Sequence, residues 1–194
     1  MSQEKEQLRA EARERRRAIP EAEREALSER IAEHALALPE LSRGGAAGAY
    51  ASMGSEVSTS LLLRGLLAKG LRVAVPVTEG DELRFVQVIH PWALVPGPRG
   101  VPIPRQPWTE VDEPSVVFVP GILFGRDGSR LGQGGGHFDR WLEAHPRALR
   151  VGLAFAAQLV DRVPVTEPHD QGMDVIVTEE GRLRIGRPAA PPSG

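Results

Sequence analysis

Five short apolar runs punctuate the chain: Ala46–Ala51, Val73–Pro76, Val116–Val119, Val151–Ala154 and Val175–Val177. Each is too short for a globular helix and lacks a polar alternate position, the pattern of strands buried on both faces. Helical patterns lie between and before them. Residues 2 to 18 contain no Gly or Pro and are dense in charge, which predicts a helix with a thin apolar stripe of Leu8, Ala12 and Ile19. Lys5 and Arg9, four apart, share a face of it. Pro20 suits the opening of a second helix with Leu27, Ile31, Ala35 and Leu38 on one side, and Pro39 stops it. A third helix follows the turn Met53–Glu56. Ser58 or Thr59 caps it, Leu61, Leu62, Leu66 and Leu67 are its buried face, and Gly70 ends it. Leu83 to Ile89 alternates after the turn Glu79-Gly80-Asp81 and reads as a hairpin partner, and Leu183 to Ile185 as an edge strand. Pro91 to Pro114 is a long proline-rich connection without a period, and such loops inside domains are usually functional or mobile.

Helices alternating with buried strands predict an α/β fold, three-layer α/β/α with a mostly parallel central sheet. Residues 1–187 are read as a single domain and 188–194 as a disordered tail of Pro, Ala, Ser and Gly. Ligands of such sheets bind at the carboxyl ends of strands. Here those ends are Tyr50 to Glu56, Pro76, Pro120 to Gly136 and the loops around Asp170.

The 194 residues carry a formal net charge of -2 and no cysteine. Disulfides, thiol catalysis and thiolate metal sites are therefore excluded, and no global field draws the chain to nucleic acid or to an anionic membrane. No apolar stretch reaches a membrane span and the N-terminus lacks a signal-peptide core, so a soluble, cytoplasmic protein is expected. A basic run at Arg13 and Arg15 to Arg17 is interrupted by Glu11 and Glu14, which argues against nucleic acid.

The densest chemistry follows the third strand. Val119 to Leu142 runs through Gly125, Asp127 and Gly128, then Arg130, then Gly132, Gly134, Gly135 and Gly136, then Asp139-Arg140 on a predicted helix start. Strand, glycine turn and helix expose backbone N–H groups at the positive end of a helix dipole, a geometry that binds phosphate. A tight turn with no ligand has the same composition. Arg130 and the Asp139-Arg140 pair tilt the reading towards phosphate and metal. Asp139 suits a helix N-terminus or a divalent ion on phosphates, and Asp170 suits a turn or a second acidic ligand. Glu56 is either a helix N-terminal acid or a partner for a polar heterocycle. His137 reads as a stacking or surface residue, since no second histidine lies at metal-ligand spacing. There is no GxxxxGK[ST] loop.

The stretch also matches PG-x-x-F-x-x-x-G-x-RLG-x-G-x-G-x-x-D through Pro120-Gly121, Phe124, Gly128, Arg130-Leu131-Gly132, Gly134, Gly136 and Asp139. With Lys5-x-x-Leu8-Arg9, Tyr50 through Glu56, and His169-Asp170 with Asp174, the chain resembles the 5-formyltetrahydrofolate cyclo-ligase family. The resemblance implies ATP- and Mg2+-dependent closure of 5-formyltetrahydrofolate to 5,10-methenyltetrahydrofolate, by a monomer or weak homodimer. It implies Arg130 and Lys5 as the catalytic pair. ATP would meet Lys5, Arg9, Arg130, Gly132, Gln133, Gly134, Gly135, Gly136, His137 and Asp139. Asp139 and Asp174 would hold magnesium. Glu56, Met53, Phe138 and Trp108 would meet the folate, Trp108 as an aromatic wall or else as a loop anchor. Gln133, His137 and Phe138 stand where the family usually carries tyrosines, and Ile103 stands where it tends to carry Glu or Gln. These departures motivate the alternative of a non-catalytic folate or nucleotide binder. A sugar-phosphate isomerase or CoA transferase shares the layered fold but requires neither Lys5 nor magnesium.

Overall fold

The computed structural model describes residues 3–90 and 93–186. The expected tail and Trp92 lie outside them. A seven-stranded sheet runs in the order β12-β11-β9-β6-β1-β2-β3. Its centre is parallel: β1 (Ala46–Ala49), β2 (Arg72–Glu79), β6 (Val116–Val119), β9 (Leu149–Leu153) and β11 (Val175–Thr178). β6 is buried at all four positions, as its uninterrupted apolar run requires. The edges are antiparallel, β3 (Glu82–Val88) on β2 and β12 (Gly181–Arg184) on β11. The bare edge of β3 is covered by residues 109–111, which take backbone bonds from Gln87 and give one to Phe85. Covering it removes a template for unwanted strand pairing.

β1 is built of small residues for a packing reason. A Cβ at Gly48 would lie 2.5 Å from the Phe85 ring, so the ring rests directly on the strand backbone. Apolar clusters fill both faces of the sheet, one around Ile31, Leu62 and Phe118, the other around Phe85, Phe124 and Trp141. α2 (Glu21–Leu36) and α3 (Ser60–Ala68) cover the first; α4 (His137–Ala144) brings Trp141 and Leu142 to the second.

Several expectations need correction. In α3 the buried face is Leu62, Leu63 and Leu66, and Leu61 is 44% exposed. Thr59 stands at the N-cap without capping; its hydroxyl donates to the Tyr50 carbonyl and accepts from the Ser52 N–H, tying the loop after β1 to the helix. The long proline-rich connection contains a small hairpin of β4 (Leu94–Pro96) and β5 (Pro102–Pro104). Three-residue strands flanked by proline are too short to show a period. The glycine-rich stretch likewise holds β7 (Leu123–Gly125) and β8 (Arg130–Leu131), which form a second sheet with β10 (Leu159–Val160). Arg130 therefore sits on a buried strand, not in the loop.

The largest correction concerns α1 (Gln3–Arg17). Its buried positions are Lys5, Arg9, Ala12 and Arg16. Leu8 is only half-buried, against Leu123, Leu131 and their neighbours. A helix that buries its cations rather than an apolar stripe needs partners for them, and several of those partners, Glu167, Asp170, Gly132 and Ser55, line the cavity described next.

Candidate functional site

A cavity of about 1480 Å³ opens at the carboxyl ends of the parallel strands. The loop after β1 contributes Tyr50, Met53, Ser55 and Glu56, the end of β2 Pro76 to Thr78, and the segment after β6 Pro120 and Arg130. The turn from Gly132 to Gly136 and the start of α4 form one wall. The cationic face of α1 forms another, and Glu167, His169 and Asp170 stand beside it. The β4–β5 hairpin adds Pro98, Val101 and Ile103.

The glycine turn is shaped by backbone needs. Gly134 and Gly136 have φ of 109° and 66°, a region side-chain-bearing residues rarely adopt. Gly136 is the N-cap of α4, so the first N–H groups of that helix face the turn without a side-chain cap. Arg9 Nε donates to the Gly132 carbonyl at 3.0 Å, and Arg13 donates to Gln133 Oε1 at 3.2 Å. α1 thus clasps the turn from outside. At the other side His137 Nε2 lies 3.3 Å from the Gly80 carbonyl and Arg140 donates to that of Asp81, which ties α4 to the β2–β3 turn. Phe138 packs edge-on to Phe85 at 6.5 Å.

Lys5 is 2% exposed and donates to Glu167 at 2.7 Å and Asp170 at 2.9 Å. Burial pulls its ammonium down, but the two carboxylates outweigh that and hold it above its ordinary value. Burial works against the Asp170 charge too, yet the Lys5 bond and the Glu167 N–H hold that acid below its usual range. Arg9 pairs with Glu6. Arg130 donates to the Pro120 carbonyl at 3.0 Å and to Asp139 Oδ1 at 2.6 Å, and the Gln171 N–H donates to the same oxygen at 3.0 Å. Glu56 accepts from the Met53 N–H at 2.9 Å and from Gln133 Nε2 at 3.1 Å. Burial pushes the Glu56 carboxyl up, against the Met53 bond and the charge of Arg16.

Of the residues singled out from the sequence, Lys5, Arg9, Met53, Glu56, Arg130, residues 132–138 and Asp139 all line this cavity. Two do not. Asp174 opens β11 at its amino end, where its Oδ2 accepts from the Arg150 N–H at 2.9 Å, whereas the cavity lies at the carboxyl ends. Trp108 is a loop anchor: its Nε1 donates to the Pro104 carbonyl at 2.9 Å and its ring packs on the core. Conversely, Glu167 and Arg16 were missed. Arg16 is seven residues from Arg9 and eleven from Lys5, both near-whole numbers of turns, so the shared face was readable. Glu167 had no such signal beyond standing next to Pro168-His169-Asp170.

The carboxylates of Asp139, Glu167 and Asp170 line one cavity, and Glu167, His169 and Asp170 offer ligand atoms within 4.8 Å of one another. Oxygen donors of this kind suit a hard divalent cation that keeps water and phosphate as its other ligands.

A buried row of cations, a glycine turn at a helix start and an acidic cluster surround one large cleft of this α/β protein. The 5-formyltetrahydrofolate cyclo-ligase family profile matches residues 1–179, and the chain belongs to that family. A 5-formyltetrahydrofolate cyclo-ligase of Mycolicibacterium smegmatis is 34% identical over 183 residues, which is 90% of this chain and 93% of that protein. The Escherichia coli K12 protein of the same name is 29% identical over 164 residues, 80% of this chain and 90% of its own. The NMR structure of Aquifex aeolicus 5,10-methenyltetrahydrofolate synthetase superposes with a TM-score of 0.84 at 30% identity, covering 96% of this chain and 95% of that one. No helix among the described residues is long and apolar enough to cross a membrane.

Proposed function

We propose that the protein converts 5-formyltetrahydrofolate to 5,10-methenyltetrahydrofolate with ATP and Mg2+, releasing ADP and phosphate. The observation that carries this reading is the convergence of Lys5, Arg9, the glycine turn and an acidic cluster on a single cavity, in a chain of this family. The γ-phosphoryl of ATP passes to the formyl oxygen and ADP departs. Folate N10 then attacks the activated carbon, phosphate leaves with the former formyl oxygen, and N10 loses its proton. Such chemistry asks the protein for position and charge neutralisation rather than for a nucleophile.

The N–H groups of the turn and of the α4 start receive phosphate oxygens, with the α1 cations behind them. Lys5 holds the 167–170 loop against α1, so that the acids and the phosphates meet. Asp139, Glu167 and Asp170 are the residues that would hold Mg2+, which when bound neutralises charge on the phosphate oxygens. Glu56 receives the N–H donors of the folate ring, with Met53 and Phe138 beside it. The same reading takes residues 1–187 as one working unit, since the ion pairs of Lys5 join the first helix to a loop more than 160 positions later.

The test is a turnover assay that follows the methenyl absorbance with ATP, Mg2+ and 5-formyltetrahydrofolate. Turnover that stops with a chelator and returns with Mg2+ is the expected result. A folded protein that builds no chromophore sinks the proposal, and calorimetric binding of folate without turnover would make the protein a binder.

A further inference from the structure

Of the three cations on the buried face of α1, Arg16 is handled differently. Lys5 and Arg9 pair with acids. Arg16 is 7% exposed, and its guanidinium donates to Ser55 Oγ at 3.1 Å and to the Gly121 carbonyl at 3.4 Å, both neutral. No carboxylate among the described residues lies within 4.0 Å of its nitrogens. The acid that bears on it most is Glu56, acting through space, and both line the cavity. A buried guanidinium and a half-buried carboxylate thus meet the same space with a gap between them. A buried cation without a counter-charge is costly, and an acceptor brought by a ligand offsets that cost.

Phosphate is not the acceptor that fits. Seven residues of helix put Arg16 ~10 Å along α1 from Arg9, whose guanidinium bonds the Gly132 carbonyl. It is bonded instead to the loops after β1 and β6, on the Glu56 side. What fits a donor fork and a carboxylate that line one cavity without pairing is a flat heterocycle edge that shows an exocyclic oxygen next to ring and exocyclic N–H groups.

We propose that Arg16 and Glu56 together read the amino-oxo edge of the pterin ring, Arg16 donating to the 4-oxo oxygen and Glu56 accepting from N3–H and the 2-amino group. This rests on the folate reading above. It makes Arg16 a specificity-determining residue, because a 4-amino pterin turns N–H donors towards the guanidinium, and a site built to bond one group rejects its replacement strongly.

The experiment is calorimetric binding of a 4-oxo and a 4-amino folate to the wild-type protein, Arg16→Met and Arg16→Lys, with steady-state kinetics alongside. Wild type should prefer the 4-oxo ligand by about tenfold or more, the scale of a charge-assisted hydrogen bond. Arg16→Met should lose that preference and raise KM for 5-formyltetrahydrofolate about tenfold or more while KM for ATP stays within about twofold. Arg16→Lys should restore part of the preference. General damage to the cavity would weaken both folates and ATP alike. A wild type that turns over 5-formyltetrahydrofolate, with an Arg16→Met variant that keeps the 4-oxo preference, overturns the Arg16 assignment alone. A wild type that neither binds nor converts any folate overturns the functional reading and this inference with it.

Discussion

Replacing Arg130 with methionine keeps most of the side chain's length and removes its charge. In the folded protein that charge meets Asp139 Oδ1 at 2.6 Å, with the two side chains 3% and 12% exposed. The variant leaves the Asp139 carboxylate with the Gln171 N–H and no cation. Breaking one partner out of a buried pair costs about 3–5 kcal/mol, because the survivor stays desolvated. The Pro120 carbonyl also loses its donor. For a chain of this size such a loss lowers Tm by roughly 6–20 °C. Neutralising Asp139 as well should return part of it, so Arg130→Met/Asp139→Asn should be more stable than the sum of the single variants by about 0.5–3 kcal/mol. Urea unfolding of the four proteins measures the cycle. Kinetics well below the unfolding range then ask whether ATP use falls as well, by the about 1.5–3 kcal/mol expected if the guanidinium also contacts phosphate. A stability loss below about 1 kcal/mol would refute the structural pair. A destabilised variant with wild-type kinetics would instead refute the phosphate contact.

Lys5→Met should leave Glu167 and Asp170 facing each other without their cation. In the wild type the depressed Asp170 contributes stability that is present above the ordinary aspartate range and lost as pH falls through its lowered value. The variant should therefore show a flatter fall of Tm on acidification; an unchanged acid limb would contradict the pairing. Glu56 has the opposite sign: burial raises its carboxyl, so its contribution is full in acid and lost as pH rises through the raised value. Glu56→Gln should raise Tm at neutral pH while weakening folate binding, and a drop in both would show the charge to be stabilising. Trp108→Phe removes one bond to Pro104, worth about 1 kcal/mol, and should leave turnover intact because the ring does not line the cavity. A large loss of activity in that variant would place the tryptophan in the site after all.

The sheet was legible because strands buried on both faces leave apolar runs, and β6, β9 and β11 fall where such runs occur. Short strands escaped, since β8 is two residues and β4 and β5 are three each. They are held by pairing with distant segments rather than by any local pattern. The glycine turn was legible for a local reason as well: positive φ at Gly134 and Gly136 demands glycine whatever surrounds it.

Partners of charge were not legible. Spacing put Lys5, Arg9 and Arg16 on one face of a charged helix, but a charged face is usually solvated. Only the fold brings Glu167 and Asp170 from the far end of the chain to Lys5, lays Arg9 against Gly132, and sets Arg16 beside Ser55. The same holds for Arg130, whose closest partner is Asp139, and for Asp174, which the topology puts at the amino end of β11, away from the cavity. Local chain geometry and apolar burial are written in short stretches of sequence. Whether a buried charge is tolerable, and so what it does, depends on which groups the tertiary structure places within a few ångströms of it.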